Sequence, residues 1–492
     1  MSSKNSKEFY RYLILALIVI DVLLVLYSCE RRQSVNPVMN DIPGNRTTIS
    51  AVKGSVLGYD KSMLDGGIRL DETAPARARN SWCQNPFSIT NLTFTDGSKN
   101  DTNGRAVSLG SIGGNSVAVD GDMIYMVAGI LDGPGGNGWD IYFFRSTNRG
   151  ASFETPQIIS KDWVKGHLGN QVEPGIAVDP DNGYIYFTYT DKSHRRPNVP
   201  NDSVFMRRSI DKGKSFSIPA INVGFTGYSC DQPCVSAGFS GFVRVVFRQK
   251  DSAGQSKLIT RFSIDHGEHY YSSNSMNSPP LNYETPIIMS QSWKKHPDTV
   301  CLIWRQESST EPDVQFMSSF DGGVSFTKPR GISGEGESEF AFLPRADFDS
   351  SGNIYCVYKV RSGSSARDSV MVSRGQYATL DYHFDVLGPI NAVQDQVGDL
   401  DVLVTSSNDV YISWNQPDYK HVGAGQNIFV CRDVGQKYQF DSISFLPLTQ
   451  SDGHNREMPR LSGNEEGDIF MLFRDTSNSP GGDILLTICN DI

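Results

Sequence analysis

An all-β fold assembled from a repeated four-stranded unit follows from three features of this 492-residue chain. Turn-forming and stackable residues are plentiful, with 46 Gly, 26 Phe and 20 Tyr, a balance that suits many short strands rather than long helices. A turn-like octet recurs at near-constant spacing. Two strand-like runs precede each copy of it.

The octet reads Ser-x-Asp/Asn-x-Gly-x-x-aromatic. It occurs at Ser146–Phe153, Ser209–Phe216, Ser263–Tyr270 and Ser319–Phe326. A degenerate copy carries Cys431, Asp433, Gly435 and Tyr438, and Ser373-Arg374-Gly375 reads as a worn copy between. Start-to-start spacings are 63, 54, 56, 54 and 58 residues. Internal repeats at this period signal stacked or radial repeat architectures. Chemically the octet is a hairpin turn. Its carboxylate accepts backbone N–H groups of the same turn, its Gly takes a conformation that a Cβ disfavours, and its aromatic ring folds back beneath.

Of the two preceding runs, the first is short and often follows Pro, as at Pro174, Pro233, Pro286, Pro344 and Pro459. The second is continuously apolar and aromatic, as in Val300–Trp304 and Ile469–Phe473. Counting these pairs gives seven units, entering near residues 115, 173, 231, 284, 342, 399 and 457. A unit of ~50 residues with four short strands matches a propeller blade. The expected fold is therefore a β-propeller of seven four-stranded blades over residues 81–492, with six blades plus a hairpin as the alternative. The last unit stops after its third strand. A propeller must close to avoid an open sheet edge, and Phe87–Phe94 reads as the missing outer strand lent by the N-terminus.

The octets resemble the Asp boxes of sialidases and bacterial neuraminidase-repeat proteins, over most of the chain beyond about residue 110. The resemblance implies a sialidase-like propeller that engages glycans or glycoproteins, and, if an enzyme, an exo-glycosidase. Sialidases hold the substrate carboxylate with an Arg triad and carry an Arg-Ile-Pro element in the first blade. Here the first inner strand reads Gly114-Asn115-Ser116-Val117, without that element.

Blade geometry places inner-strand starts and second-strand ends around one mouth of the central channel, and the octets on the opposite face. Acidic residues enter the inner strands at Glu173, Asp231, Glu284, Asp399 and Glu457. Basic residues end the second strands at Arg248, Arg305, Lys359 and Arg474, and Arg345 and Arg460 lie just inside their inner strands. Arg forks bind carboxylates in bidentate fashion, and paired carboxylates serve acid–base chemistry. These residues form the candidate binding ring. The same spacing also reads as ion pairs between neighbouring blades that only hold the rim. A non-catalytic propeller that scaffolds a protein partner is the alternative function.

No cofactor or metal motif stands out. Gly133–Gly136 lacks the Lys of a phosphate loop. Asp179–Gly183 lacks the distal Glu of a helix-loop-helix calcium site and reads as a strand-to-strand turn. Cys230 and Cys234 flank a short turn, where a local disulfide is one possibility in an oxidising compartment. The net charge of −10 argues against a nucleic-acid groove.

The N-terminus reads as an export signal over residues 1–29, followed by a tether over 30–80. Lys4, Lys7 and Arg11 precede a run from Leu13 to Tyr27 that is apolar except for Asp21, and Leu26-Tyr27-Ser28-Cys29 resembles a lipoprotein lipobox with Cys29 as the lipidated residue. An uncleaved signal anchor is the other reading. Both place the chain outside the cytoplasm on a membrane.

Overall fold

The computed structural model describes residues 88–91 and 107–490, apart from several connecting loops. The export segment with Cys29, the tether at 30–80 and the Gly133–Gly136 loop lie outside the described residues. Every described residue belongs to the unit spanning Leu70–Ile492.

Seven antiparallel sheets follow one another along the chain. Blade 1 holds Val117–Asp120, Met123–Leu131, Trp139–Ser146 and Gln157–Ile158, with Val107–Ser108 also on its second strand. Blade 2 runs from Gln171–Val178 to Ile221–Asn222, blade 3 from Ser229–Ala237 to Tyr271–Ser272, and blade 4 from Asn282–Ser290 to Arg330–Gly331. Blade 5 runs from Glu339–Phe348 to Asp381–Pro389, and blade 6 from Leu400–Val404 to Asp441–Phe445. Blade 7 joins Arg456–Gly463, Asp468–Asp475 and Asp483–Asn490 to Ser88–Asn91, which pairs with the third strand from Ser88↔Ile488 to Asn91↔Leu485. The outer strand of the last blade therefore comes from the N-terminal side, as the truncated final unit requires.

The ring closes through seven apolar cores, each shared by two neighbouring blades. Between blades 7 and 1, Phe470, Leu472, Ile484 and Leu486 pack on Ile124, Met126 and Phe144. In the second strand of blade 4, Val300, Leu302 and Trp304 face the blade 3 core, while Cys301 and Ile303 face that of blade 5. Strand side chains alternate between faces, so a strand covered on both faces must be apolar throughout. That is why the second runs show no polar alternation. Each such side chain contributes about 1.5–3 kcal/mol of burial.

The octets staple each blade to the one before it. In blade 2, Ser209 Oγ donates to Asp211 Oδ1 at 2.7 Å and accepts from the Gly213 N–H at 2.8 Å. Asp211 Oδ1 also accepts from the Ser215 N–H at 2.9 Å. The same bonds recur in the octets of blades 1, 3 and 4. Gly213 has a φ of +82°, and a Cβ there would sit 2.7 Å from the Phe143 ring of blade 1. Phe216 packs edge-on against Phe143 and against Phe187 of its own blade.

Two local expectations are corrected. Ser373-Arg374-Gly375 is no turn, because it lies inside the strand Asp368–Ala378, paired with Ile354–Cys356. Cys230 and Cys234 are free. They are four residues apart on one extended strand, and their buried thiols belong to different inter-blade cores. Cys489, in contrast, is disulfide-bonded.

Candidate functional site

The channel mouth is organised by a bulge repeated in five inner strands. Glu173, Gln232, Thr285, Leu343 and Met458 all have φ between +49° and +57°, and each precedes a proline. Left-handed backbone is rare for such residues, and five copies in register mark a built feature. Pro suits the bulge because it has no N–H to leave unpaired. The bulges also bond to one another. Glu173 Oε2 accepts from the Gln232 N–H at 2.8 Å, and Gln232 Oε1 accepts from the Thr285 N–H at 3.0 Å.

Aligned on these prolines, the residue just before each bulge faces the end of the second strand. Asp231 stands opposite Arg248, Glu284 opposite Arg305 and Glu457 opposite Arg474. Arg248 grips Asp231 through two bonds of 2.7 and 2.8 Å, and Lys250 adds a third at 3.2 Å. Burial would raise the Asp231 carboxyl, but these cations hold it below its ordinary value. Arg305 bonds Glu284, Arg248 lies 3.7 Å from the same carboxylate, and Arg474 bonds Glu457 at 3.0 Å. In these three blades the ring is a set of cross-strand ion pairs.

The remaining candidates sit elsewhere. Glu173 is itself a bulge residue, one place further along than Asp231, and Val172 holds the mouth position in blade 2. Its carboxylate accepts from Thr190 Oγ1 at 2.7 Å. Asp399 stands opposite Asn415 and reaches Arg460 of blade 7 at 3.5 Å. Arg345 and Arg460 follow the bulge prolines and lie deeper, with Asp401 of blade 6 at the equivalent place between them.

Blade 5 breaks the pattern. Its mouth position is Phe342, opposite Lys359. The guanidinium of Arg305 lies 4.5 Å from the Phe342 ring centre, and Lys359 and Arg361 each lie 5.9 Å from it. Phe340 stacks beside Phe342 at 6.4 Å. Lys359 Nζ donates to the Val397 carbonyl at 2.8 Å and is 3.9 Å from Asp368, which Arg361 already holds in a fork of 2.7 and 3.0 Å. Phe342, Arg361 and Asp368 were not singled out from sequence. Counting back two residues from each inner-strand proline exposes Phe342 at once.

Among the described residues, one group has metal-ligand spacing: Asp265, Glu268 and His269, within 4.8 Å on the exposed octet of blade 3. Asp265 is already committed to its own turn through Ser263 and the His269 N–H. Asp179–Gly183 is a strand-to-strand turn, with Asp179 Oδ1 accepting from the Asp181 N–H at 2.9 Å.

No family model and no curated protein matches this chain. Solved structures similar to it include Hadza microbial sialidase Hz136, at 15% identity over 63% of each chain with a TM-score of 0.42. The polysaccharide lyase Uly1 matches at 9% identity over 77% of this chain and 90% of that one, with a TM-score of 0.48. Trypanosoma rangeli sialidase matches at 12% identity over 67% of this chain and 55% of that one, with a TM-score of 0.43. The chain thus spans 63% of the length of the first of these. At such identities the likeness is one of fold alone.

Proposed function

We propose that this is an exported, membrane-tethered propeller that binds an acidic glycan at the blade 4–5 sector of its channel mouth and does not hydrolyse it. One observation carries the reading. Where blades 3, 4 and 7 place a carboxylate opposite the terminal cation, blade 5 places Phe342, so Arg305, Lys359 and Arg361 converge on an aromatic ring. Clustered cations beside apolar faces suit a carboxylate- or sulfate-bearing sugar, because ligand sites combine apolar surface with a few placed polar groups. Binding fits better than hydrolysis because the mouth carboxylates are engaged by Arg partners, and Asp231 is held low where a general acid needs to be held high. The basic start, apolar run and Cys29 support export and tethering, and a disulfide at Cys489 suits an oxidising compartment.

The test is a glycan-array screen of the full-length chain, run beside fluorogenic exo-glycosides that include a sialoside. Acidic glycans should bind and no glycoside should turn over. Lys359→Ala should weaken binding by about 10–100-fold, as loss of one charge-assisted contact does. Turnover that disappears in Arg345→Ala or Arg460→Ala would make the protein a glycosidase instead. Silence in both assays would favour a protein-binding scaffold.

A further inference from the structure

Blade 5 carries an outer strand unlike those of its neighbours. In blades 1 to 4 that strand is two residues long, at Gln157–Ile158, Ile221–Asn222, Tyr271–Ser272 and Arg330–Gly331. In blade 5 it is the nine-residue Asp381–Pro389. One side pairs with Asp368–Ala378, and among the described residues no strand pairs with the other. A row of outward backbone groups of this length is a template for another strand.

The bonds of blade 5 fix which groups face outward. Tyr377 N–H donates to Asn353 Oδ1 at 3.2 Å, beside the start of the second strand, so it turns away from its outer-strand partner Tyr382. Tyr382 N–H donates to Asp381 Oδ1 at 2.8 Å instead of to the sheet. Backbone groups alternate in direction along an antiparallel pair. Phe384 and Val386 lie two and four residues beyond Tyr382 in the same unbroken register, so their N–H and C=O groups also point outward. Val386 is 44% exposed, and Asp381, His383 and Asp385 are exposed at the alternate positions.

We propose that this edge pairs with the same edge of a second copy of the chain, antiparallel about a two-fold axis at Phe384. Phe384 N–H and C=O of each copy meet the same groups of the other, and each Val386 N–H reaches the Tyr382 carbonyl of the other copy. Tyr382 N–H keeps its bond to Asp381. Charge selects both the occupant and the register. With the axis at Phe384, each His383 stands opposite Asp385 of the other copy in a non-hydrogen-bonded pair, where side chains lie closest. With the axis at His383, Asp381 would face Asp385; with the axis at Asp385, that carboxylate would face its own copy; both arrangements repel. Charges on an edge ordinarily block self-pairing, and the Phe384 register is the one of these three that escapes the block. Asp381 is held by Arg330 and faces Leu387 there. Asp385 accepts from Gln376 through Oδ2 at 3.2 Å. Two short strands meet over far less area than a permanent dimer needs, so the pairing depends on concentration.

The measurement is sedimentation velocity of the full-length chain, in one detergent throughout, over roughly a hundredfold range of concentration into the high micromolar. The mass should climb from one chain towards two. Val386→Pro removes an outward N–H and leaves the ladder of its own blade intact, since Pro is tolerated at a sheet edge. It should hold the chain monomeric. His383→Asp sets two carboxylates opposite each other and should weaken association about 10-fold. Adding Asp385→His should restore it, and this charge exchange decides the matter if Val386→Pro fails to fold. A chain that stays monomeric throughout, a dimer indifferent to Val386→Pro, or a loss in His383→Asp that Asp385→His does not recover would each overturn the proposal. None of these outcomes depends on whether the mouth binds a glycan.

Discussion

Asp347 gives the sharpest test of the channel wall. It lies half-buried two residues beyond Arg345 on the inner strand of blade 5. Its Oδ2 accepts from the Val404 N–H of blade 6 at 2.8 Å, and its Oδ1 from the Phe348 N–H at 2.8 Å. Burial pushes its carboxyl up from 3.8 to about 7, with Asp401 adding to the rise and the two backbone donors opposing it. The folded chain therefore holds this proton more tightly than the unfolded chain does. The stability so contributed is fully present below pH 3.8 and is lost as pH rises through about 7. At ~1.4 kcal/mol per pH unit across that window the loss comes to about 4 kcal/mol, and the partial exposure of Asp347 reduces it to about 2–4 kcal/mol. Asp347→Asn carries no charge and keeps one acceptor, for the Val404 N–H, while its NH2 meets the Phe348 N–H at a cost that does not vary with pH. Urea unfolding of both proteins from pH 4.5 to pH 8 reads the effect directly. Between pH 4.5 and pH 8 the wild type should lose about 2–4 kcal/mol of stability that the variant does not lose. Equal pH slopes in the two proteins would refute the assignment of this proton to Asp347.

Two further outcomes are expected of the fold. Gly213→Ala should cost about 2–5 kcal/mol, since it combines a left-handed φ with a Cβ 2.7 Å from the Phe143 ring. Gly121→Ala is its control: φ is +56° and nothing lies within 4 Å, so only about 1–2 kcal/mol of backbone strain is expected in a denaturant midpoint. Deleting residues 80–100 removes Ser88–Asn91 and opens the third strand of blade 7, Asp483–Asn490, so the melting temperature of the whole array should fall sharply. An unchanged melt would mean that the ring does not depend on that strand.

Much of the architecture is legible without coordinates because it is periodic. Octets about 54–63 residues apart, each behind a short strand, often Pro-led, and an apolar strand, set the unit. The unfinished seventh unit points to a borrowed outer strand, and Ser88–Asn91 takes that place. The misreadings are local. Ser373-Arg374-Gly375 carries octet letters, yet pairing with Ile354–Cys356 keeps it extended. Cys230 and Cys234 are near in sequence, yet a strand carries them into different cores.

Residue types around the mouth were likewise visible from the sequence, but not which of them pair. The bulge is set by the proline, and Glu173 stands one residue before its proline where Asp231 stands two, so these residues, both written as strand-entry acids, stand at different levels. That one-residue step turns Glu173 into a link between bulges, Asp231 into half of an ion pair, and Phe342 into a ring under three cations. Charges from blades 5, 6 and 7, separated by more than a hundred residues, meet at Arg345, Asp401 and Arg460 only when the ring closes. Sequence by itself determined the repeat, the turn chemistry and the apolar strands, because these depend on neighbours within one blade. Tertiary structure alone decided which charges are paired and which are left over, because that depends on register and on closure of the ring.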